Sequence, residues 1–243
     1  MLQLALMSGQ IEKIHPTLLE AEIFANISHE EIIEISDCFK LREFKRDEYL
    51  FHEDQPAKTF YIVMEGQVKI RQTSAAGFEV ILHVLGEKSL IGALPMLGDG
   101  TYPAGAQALT DVLAYAIVED DFGSLLSAHN TMCVNMLRFA TRVLQNSLVR
   151  IREMATDRVE QRIARTITRL AEQVGKETPE GILLDAPITR QELAEMTGTT
   201  VFAVSRTLKS WEREDIIKLG REKVVILQQH DLVAIADGFF DDL

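Results

Sequence analysis

A run of polar and basic side chains between Thr199 and Lys209 has the chemistry to bind an anion or the edge of a nucleobase. Arg206 offers a planar fork of donors that fits guanine O6 and N7, and the hydroxyl of Ser205 can bond a neighbouring base. Thr199 is placed to cap a helix whose N-terminus would face a phosphate. Between Thr199 and Ser210 there are two basic residues and no acidic residue. This segment therefore favours binding to a polyanion.

The segment that holds these side chains has the spacing of a helix-turn-helix, two helices joined by a tight turn. Counted from Arg190, a small residue at the fifth position (Ala194) lets the helices approach closely, and a glycine at the ninth (Gly198) forms the turn. A β-branched residue at the fifteenth position (Val204) fills the angle between the helices. The second helix would enter the major groove of DNA. The spacing thus predicts a DNA-binding element.

A second element follows the helix-turn-helix. Residues 216–227 predict a β-hairpin, or wing, with basic residues at its tip. Side chains of such wings commonly contact the phosphate backbone, which makes Lys218, Arg221 and Lys223 candidates for that contact. The residues that we expect to contact DNA are Arg190, Thr199, Thr200, Val201, Phe202, Ser205, Arg206, Lys209, Lys218, Arg221 and Lys223.

Charge is distributed unevenly along the chain. The 243 residues carry a formal net charge of −12, which alone argues against nucleic-acid binding. However, residues 1–130 hold 9 basic and 20 acidic residues, whereas residues 131–243 hold 16 and 17. Because exposed charges are screened within about 10 Å in salt solution, an acidic first half does not prevent a local basic face from binding DNA.

Composition excludes several classes of protein. Cys38 and Cys133 are too few for a disulfide framework, which favours a reducing, cytoplasmic compartment. The apolar run at the N-terminus is too short for a signal peptide, and no run approaches the length of a membrane-spanning segment. There is no nucleophile–base pair and no phosphate-binding glycine motif, so we expect no enzymatic activity. The histidines lack a recognisable ligand spacing, so no metal site is predicted.

Three sequence patterns, each typical of a different type of structure, follow one another along the chain. Residues 12–39 have a helical pattern, with a capped start at Ser28. From about Phe44 to Val118, short β-branched and aromatic runs alternate with glycine turns, which predicts an antiparallel β-barrel or jelly roll. Residues 131–156 contain neither glycine nor proline and predict one long helix. We therefore predict an α+β fold with a sensing β-barrel (1–130), a dimerisation helix (131–156) and a winged helix-turn-helix (157–243).

The long helix carries an apolar repeat. Leu137, Leu144 and Ile151 recur every seven residues, as in a coiled coil. The 26 unbroken residues exceed the usual length of a globular helix, so we interpret the repeat as the seam of a two-helix dimer rather than as packing within one chain. The predicted interface residues are Leu137, Ala140, Leu144, Ser147, Ile151 and Met154.

The order of barrel, long helix and winged helix-turn-helix resembles the Crp/Fnr superfamily of bacterial transcription regulators. The resemblance rests on residues 188–194, on residues 200–206 and on the hairpin sequence at 60–66, and it extends over about residues 20–240. It implies a cyclic-nucleotide-binding-like barrel and a homodimer on a two-fold symmetric operator, with half-sites about one helical turn apart. It also implies contact with RNA polymerase.

The barrel departs from the cyclic-nucleotide-binding members of that family. Those members carry a Glu directly after a cassette glycine, for the ribose, and an Arg-Ser pair ten residues on, for the cyclic phosphate. Here these places hold Ala93, Pro103 and Ala104. A cyclic phosphate without its arginine would lose on the order of several kcal/mol, which argues against cAMP or cGMP as effector. The residues predicted to line the effector pocket are Gly92, Ala93, Leu94, Pro103, Ala104, Asn146 and Ser147.

The sequence is compatible with more than one kind of effector. Residues 101–108 look like the FNR-like side of the family, which includes nitric-oxide-responsive denitrification regulators, some of them thought to sense through haem. An iron–sulfur cluster is excluded because the N-terminal cysteine cluster of such members is absent. The alternatives are haem with nitric oxide or carbon monoxide, a metabolite near Asn146 and Ser147, or no ligand, with control by expression level or by oxidation of Cys38. A strand histidine such as His83 is more often structural than an iron ligand.

One position of the second helix also departs from the family. Most relatives have Glu where this chain has Phe202, and phenylalanine cannot accept a hydrogen bond from cytosine. Together with Val201 it offers only apolar contact, for instance to a thymine methyl group. Because Arg206 and Ser205 are retained, we expect a guanine in each half-site, whereas the rest of the family's usual operator is not implied.

Overall fold

The computed structural model describes residues 15–98, 100–184, 186–220 and 223–239. Contacts divide the chain into two compact units, residues 1–68 with 86–146 and residues 69–85 with 147–243. The units do not follow the three ranges expected from the sequence, because residues 69–85 group with the C-terminal half. The functional limits of those three ranges stay a prediction.

The first unit begins with short helical pieces. They are α1 (Pro16–Leu19), a 3-10 turn (Glu22–Phe24), α2 (His29–Ile35) and a second 3-10 turn (Ser36–Cys38). Within the described residues, the helical pattern predicted over 12–39 is found as separate short pieces, since Asn26 takes a left-handed φ of 61° and interrupts the helical path. The predicted capped start is confirmed, because Ser28 and Glu31 form a capping box at the beginning of α2.

Short strands make up most of residues 40–118. They are β1 (Lys40–Phe44), β2 (Tyr49–Phe51), β3 (Thr59–Glu65), β4 (Val68–Thr73), β5 (Glu79–Leu85), β6 (Leu90–Ile91), β7 (Gly105–Ala108) and β8 (Val112–Val118). In the first unit β1, β8, β3 and β6 form an antiparallel sheet in that order, and β2 pairs with β7. The prediction of an antiparallel β-domain in an α+β fold is confirmed.

Two helices follow the last of these strands, α3 (Glu119–Ala128) and α4 (Asn130–Thr156). The predicted long helix is confirmed, and it spans 27 residues. Its first turns belong to the core of the first unit, where Met132 is buried together with Phe60 and Phe122. The buried amide of Asn135 donates to the carbonyl of Ile23 at 2.9 Å and thereby ties α4 to the N-terminal segment.

The second unit contains the C-terminal elements. These are α5 (Val159–Val174), β9 (Gly175–Thr178), β10 (Gly181–Leu184), α6 (Arg190–Thr197), α7 (Val201–Arg213), β11 (Ile217–Gly220), β12 (Lys223–Ile226) and α8 (Gln229–Asp237). The strands form a sheet in the order β11-β12-β10-β9. The predicted wing is confirmed as the hairpin of β11 and β12, and β9 and β10 form a second hairpin. Among the helices that the structure describes, none combines the length and apolar character needed to span a bilayer.

Candidate nucleic-acid interface

The turn between α6 and α7 has the geometry that the glycine position predicted. Gly198 ends α6 in the left-handed conformation, with φ 58° and ψ 42°. A Cβ atom there would lie 2.5 Å from the Cε of Met154, so a larger residue would displace that methyl group and strain the left-handed backbone. The hydroxyl of Thr197 donates to the carbonyl of Leu193 at 2.6 Å inside this turn. The turn is thus closed by backbone geometry and by the end of α4.

Thr200, not Thr199, caps the second helix of the motif. The Thr200 hydroxyl accepts the backbone N–H of Ala203 at 3.1 Å, and α7 begins at the next residue. Thr199 instead donates its N–H to the carbonyl of Ala194 at 3.1 Å and so closes the end of α6. The expectation that Thr199 is the cap is therefore wrong by one residue, because the backbone of Thr199 still belongs to the turn after Gly198.

One face of α7 is open to solvent and the other is buried. Phe202 is 76% exposed and Val201 is 37% exposed. Arg206 and Lys209 are exposed on the same face, and Ser205 is half-buried at its edge. The buried face consists of Val204, Thr207, Leu208 and Trp211. The helix-turn-helix core is thus complete without the exposed residues, whose role in DNA contact stays a prediction.

The other predicted contact residues have mixed surroundings. Arg190 is exposed at the first position of α6, and Lys223 is exposed at the start of β12. Lys218 binds the carboxylate of Glu180 at 2.6 Å. This pair is more than half exposed, so a phosphate could displace it at little cost. Arg221 lies outside the described residues.

The exposed apolar residues of α4 form a stripe that differs from the predicted seam. Leu137, Leu144 and Ile151 are each at least 60% exposed, and Leu148 is 58% exposed. The spacing of 144, 148 and 151 places these three on one face of the helix. The heptad pattern assigned Ser147 to the seam rather than its neighbour Leu148. Ser147 is half-buried, as is Ala140.

The last turn of α4 is occupied by contacts within the second unit. The terminal methyl group of Met154 lies against the Gly198 turn. Arg169 on α5 binds the buried carboxylate of Glu153 at 2.7 Å. The Arg150 guanidinium donates to the carbonyl of Leu82 on β5. Met154 is 48% exposed and also reaches the helix-turn-helix of its own chain, so its place in the dimer seam stays a prediction.

The predicted effector residues of the barrel lie in a tightly packed segment. Gly92 has a φ of 82°, and a Cβ atom there would approach both Phe51 and Tyr102 to 3.0 Å. Those two rings are stacked with centroids 3.6 Å apart. Ala93 and Ala104 are almost fully buried. The cassette is thus an aromatic and aliphatic environment, with no charged group at the three places that differ from the cyclic-nucleotide-binding members.

The remaining effector candidates are spread over several positions. Leu94 is half-buried after β6, and Pro103 is exposed before β7. Asn146 and Ser147 lie midway along α4, where the division between the two units falls. Asn146 is exposed and Ser147 is half-buried. The function of these four residues in ligand binding stays a prediction.

His83 is the most strongly perturbed histidine. Burial and the positive charges of Arg150 and Arg169 lower its pKa from 6.5 to about 4. The ring is therefore neutral at physiological pH. In the described part of the chain, no group of three or more His, Cys, Asp or Glu residues could hold a metal ion.

Two sequence-family models match this chain. One, the cyclic nucleotide-binding domain, covers residues 41–129, and the other, the Crp-like helix-turn-helix domain, covers residues 161–235. The chain is 23% identical to the CRP-like cAMP-activated global transcriptional regulator of Mycobacterium tuberculosis over 86% of this chain and 93% of that protein. It is 26% identical to the global nitrogen regulator of Synechocystis over 81% of this chain and 87% of the other. The solved structure of FixK2 from Bradyrhizobium japonicum matches with a TM-score of 0.73 and 16% identity, over 81% of this chain and 96% of that one.

Proposed function

Because this chain belongs to the Crp/Fnr family of DNA-binding transcription regulators, we propose that it binds a two-fold symmetric DNA operator as a homodimer, with α7 as the recognition helix. The observation that carries this proposal is the open face of α7. It presents Arg206 and Lys209 within residues 199–210, which hold no acidic residue, and its exposed Phe202 serves no packing role within the motif. A helix with a complete buried face and a free basic face suits the major groove.

The exposed side chains of α7 divide into base contacts and backbone contacts. Arg206 reads a guanine in each half-site through its bidentate donors. Phe202 and Val201 contact thymine methyl groups, which replaces the hydrogen bond that most relatives make from a Glu. Thr200 brings its hydroxyl and the N-terminus of α7 to a phosphate, and Lys209 reaches the backbone further along.

Dimerisation places two such helices on opposite half-sites. The exposed apolar stripe of α4 supplies a self-complementary face of the kind that a two-fold seam requires. The operator would then be palindromic, with RNA polymerase as the partner that the family resemblance implies. The reducing compartment indicated by Cys38 and Cys133 agrees with action in the cytoplasm, on DNA.

The effector is a molecule other than cAMP. Ala93, Pro103 and Ala104 carry no charge with which to bind a ribose hydroxyl or a cyclic phosphate, and Gly92 rests on stacked aromatic rings. Haem is disfavoured in the cassette because Gly92 packs directly on the stacked rings of Phe51 and Tyr102. A small metabolite and control without a ligand are the alternatives that these surroundings favour.

Selection of a binding site from random duplexes tests the DNA-binding proposal. We expect a palindrome with a guanine in each half, and Arg206→Ala should weaken binding by about 1–3 kcal/mol per half-site while relaxing the preference at that base pair. Arg213→Ala, which removes an equal charge from the last turn of α7, is the matched control and should keep the preference. If Arg206→Ala weakened all sequences equally, Arg206 would be a phosphate contact.

The effector proposal is tested on the same operator by fluorescence anisotropy at constant salt. We expect cAMP at millimolar concentration to leave the affinity unchanged. Haemin should give a broad, non-saturating absorbance band, rather than a stoichiometric Soret band that shifts with nitric oxide or carbon monoxide. A sharp band that shifts with gas would make this protein a haem sensor, and a rise in affinity with cAMP would refute the interpretation of the cassette.

A further inference from the structure

The β4–β5 hairpin (residues 69–85) has contacts that its place in the sequence does not suggest. It lies inside the region that matches the cyclic nucleotide-binding domain. Its contacts nevertheless place it in one compact unit with the helix-turn-helix. The hairpin turns at residues 74–78, where the N–H of Gly77 donates to the carbonyl of Ser74 at 2.8 Å. This hairpin is therefore an element that packs directly on the DNA-binding motif.

An ion pair attaches the base of the hairpin to the first helix of the motif. Lys69 Nζ lies 2.9 Å from Glu192 Oε1, and the two side chains are only 12% and 13% exposed. Glu192 also accepts the N–H and the hydroxyl of Thr189, at 2.9 and 3.0 Å, in the capping box of α6. The Glu192 carboxylate thus caps the N-terminus of α6 and also binds Lys69 of the hairpin. Because both charges are nearly buried, the pair is screened little by salt.

A second attachment comes from the long helix. The Arg150 guanidinium donates to the carbonyl of Leu82 on β5 and reaches the carbonyl of Met196, at the end of α6, at 3.5 Å. One arginine therefore bonds the hairpin and the helix-turn-helix at once. The Lys69–Glu192 pair and the Arg150 hydrogen bonds therefore attach the hairpin at two points, one near each end of α6.

The tip of the hairpin stands beside the start of the recognition helix. A cleft of about 650 Å³ separates residues 77–80 from residues 199–201. Phe78, Glu79 and Glu195 are among the residues that line it, and none of the described lining residues is a lysine or an arginine. Arg71 on β4 pairs with Glu79, whose side chain is still 44% exposed. A DNA phosphate that approached the N-terminus of α7 from this side would therefore meet the carboxylate of Glu195, the paired carboxylate of Glu79 and the exposed phenyl ring of Phe78. Such surroundings oppose a polyanion.

We propose that the β4–β5 hairpin is an autoinhibitory strap, held on α6 by the Lys69–Glu192 pair, and that its tip must leave the N-terminal end of α7 before DNA binds tightly. The proposal rests on α7 being the recognition helix. The closed strap is the state that the structure describes. Release of the strap shifts the population toward the binding-competent state, and the ion pair sets how often this happens.

Lys69→Gln is the informative test because its predicted effect opposes simple electrostatics. Loss of a positive charge from a DNA-binding protein normally weakens DNA binding. The strap predicts instead that the operator is bound roughly 3- to 10-fold more tightly, since an unpaired hairpin opens more often. The matched control is Lys88→Gln, which removes an equal charge from the ion pair with Glu20 in the first unit. That variant should bind slightly less tightly than the wild type.

Hydrogen exchange of residues 69–85 in the DNA-free protein separates this proposal from the DNA-binding proposal. Lys69→Gln should speed exchange of these amides, and Lys88→Gln should not. If wild-type protein bound no DNA while Lys69→Gln still loosened the hairpin, the proposed function would fail but the attachment would stand. Unchanged exchange in Lys69→Gln would overturn the strap at its first step.

Glu192→Gln is a second variant that breaks the ion pair and should still fold, because glutamine preserves the capping box of α6 and removes only the charge. We expect it to loosen the hairpin as Lys69→Gln does, and the double variant to add little to either single one. Glu172→Gln is its matched control for charge, because Glu172 is exposed on α5 of the same unit and does not line the cleft. If Lys69→Gln loosened the hairpin and lowered operator affinity more than Lys88→Gln does, the hairpin would support the DNA-bound geometry and the autoinhibitory proposal would be refuted.

Discussion

Truncation of Leu144 on the long helix should weaken the dimer by a large factor. Leu144 is 60% exposed in the single chain. Full burial of a leucine side chain contributes about 1.5–3 kcal/mol, so burial of the remaining part contributes roughly 1–2 kcal/mol. Two copies meet across a two-fold seam, which makes the loss about 2–4 kcal/mol in Leu144→Ala. The dissociation constant should therefore rise by roughly 30- to 700-fold.

Sedimentation equilibrium over a wide range of protein concentrations measures this change. Leu144→Glu should be monomeric at concentrations where Leu144→Ala is mixed, because two facing carboxylates would be desolvated in the seam. Leu41→Ala is the matched control, since Leu41 is also about half exposed but lies on β1. A Leu144→Ala protein with the dimer affinity of the wild type would refute the assignment of this face.

A second pair of variants tests which other residues of α4 belong to the seam. Leu148→Ala should weaken the dimer about as much as Leu144→Ala, because Leu148 is 58% exposed on the same face. Met154 is 48% exposed and its methyl group also reaches the Gly198 turn, so Met154→Ala should lower both the dimer affinity and the free energy of unfolding. A Met154→Ala protein with the dimer affinity of the wild type would exclude Met154 from the seam.

Two further predictions concern stability within the second unit. Thr200→Ala should lower the free energy of unfolding in urea by about 1 kcal/mol through loss of the cap on Ala203, whereas Thr199→Ala should change it by less than about 0.5 kcal/mol; equal effects would contradict the assignment of the cap. His83 is neutral in the folded protein down to about pH 4, while the unfolded chain takes up a proton near pH 6.5. Stability from this group is thus present above pH 6.5 and is lost as the pH falls toward 4, by roughly 3 kcal/mol in all. His83→Gln should flatten that part of the pH profile of urea unfolding, and an unchanged slope would show that other groups cause it.

Local patterns predicted the elements with good accuracy. The long helix was predicted at residues 131–156 and is found at Asn130–Thr156, since an unbroken run without glycine or proline needs no tertiary information. The turn at Gly198 was placed correctly, because only a left-handed residue closes so short a connection. The capping box at Ser28 was likewise evident from four consecutive residues. The helical pattern over residues 12–39 did not reveal the break at Asn26, because a left-handed residue leaves little trace in composition.

The DNA-binding face could be predicted from spacing, whereas its exact beginning could not. Exposure of Phe202 and Arg206 follows from helical periodicity once Val204 and Leu208 are assigned to the core. The one-residue error at the cap arose because Thr199 and Thr200 are equally good capping residues by type. Only the backbone path after the glycine decides which hydroxyl points at a free N–H.

The sequence by itself determined the order of the elements, the helix-turn-helix, the long apolar helix and the absence of the charged cassette residues, since each depends on residues close together in the chain. Tertiary structure alone decided that residues 69–85 pack with the DNA-binding half, that Leu148 rather than Ser147 is exposed on α4, and that His83 stays neutral. The Lys69–Glu192 pair joins residues 123 positions apart. No local pattern encodes such a pair, because its energy arises only when the fold brings two charges together and removes both from water.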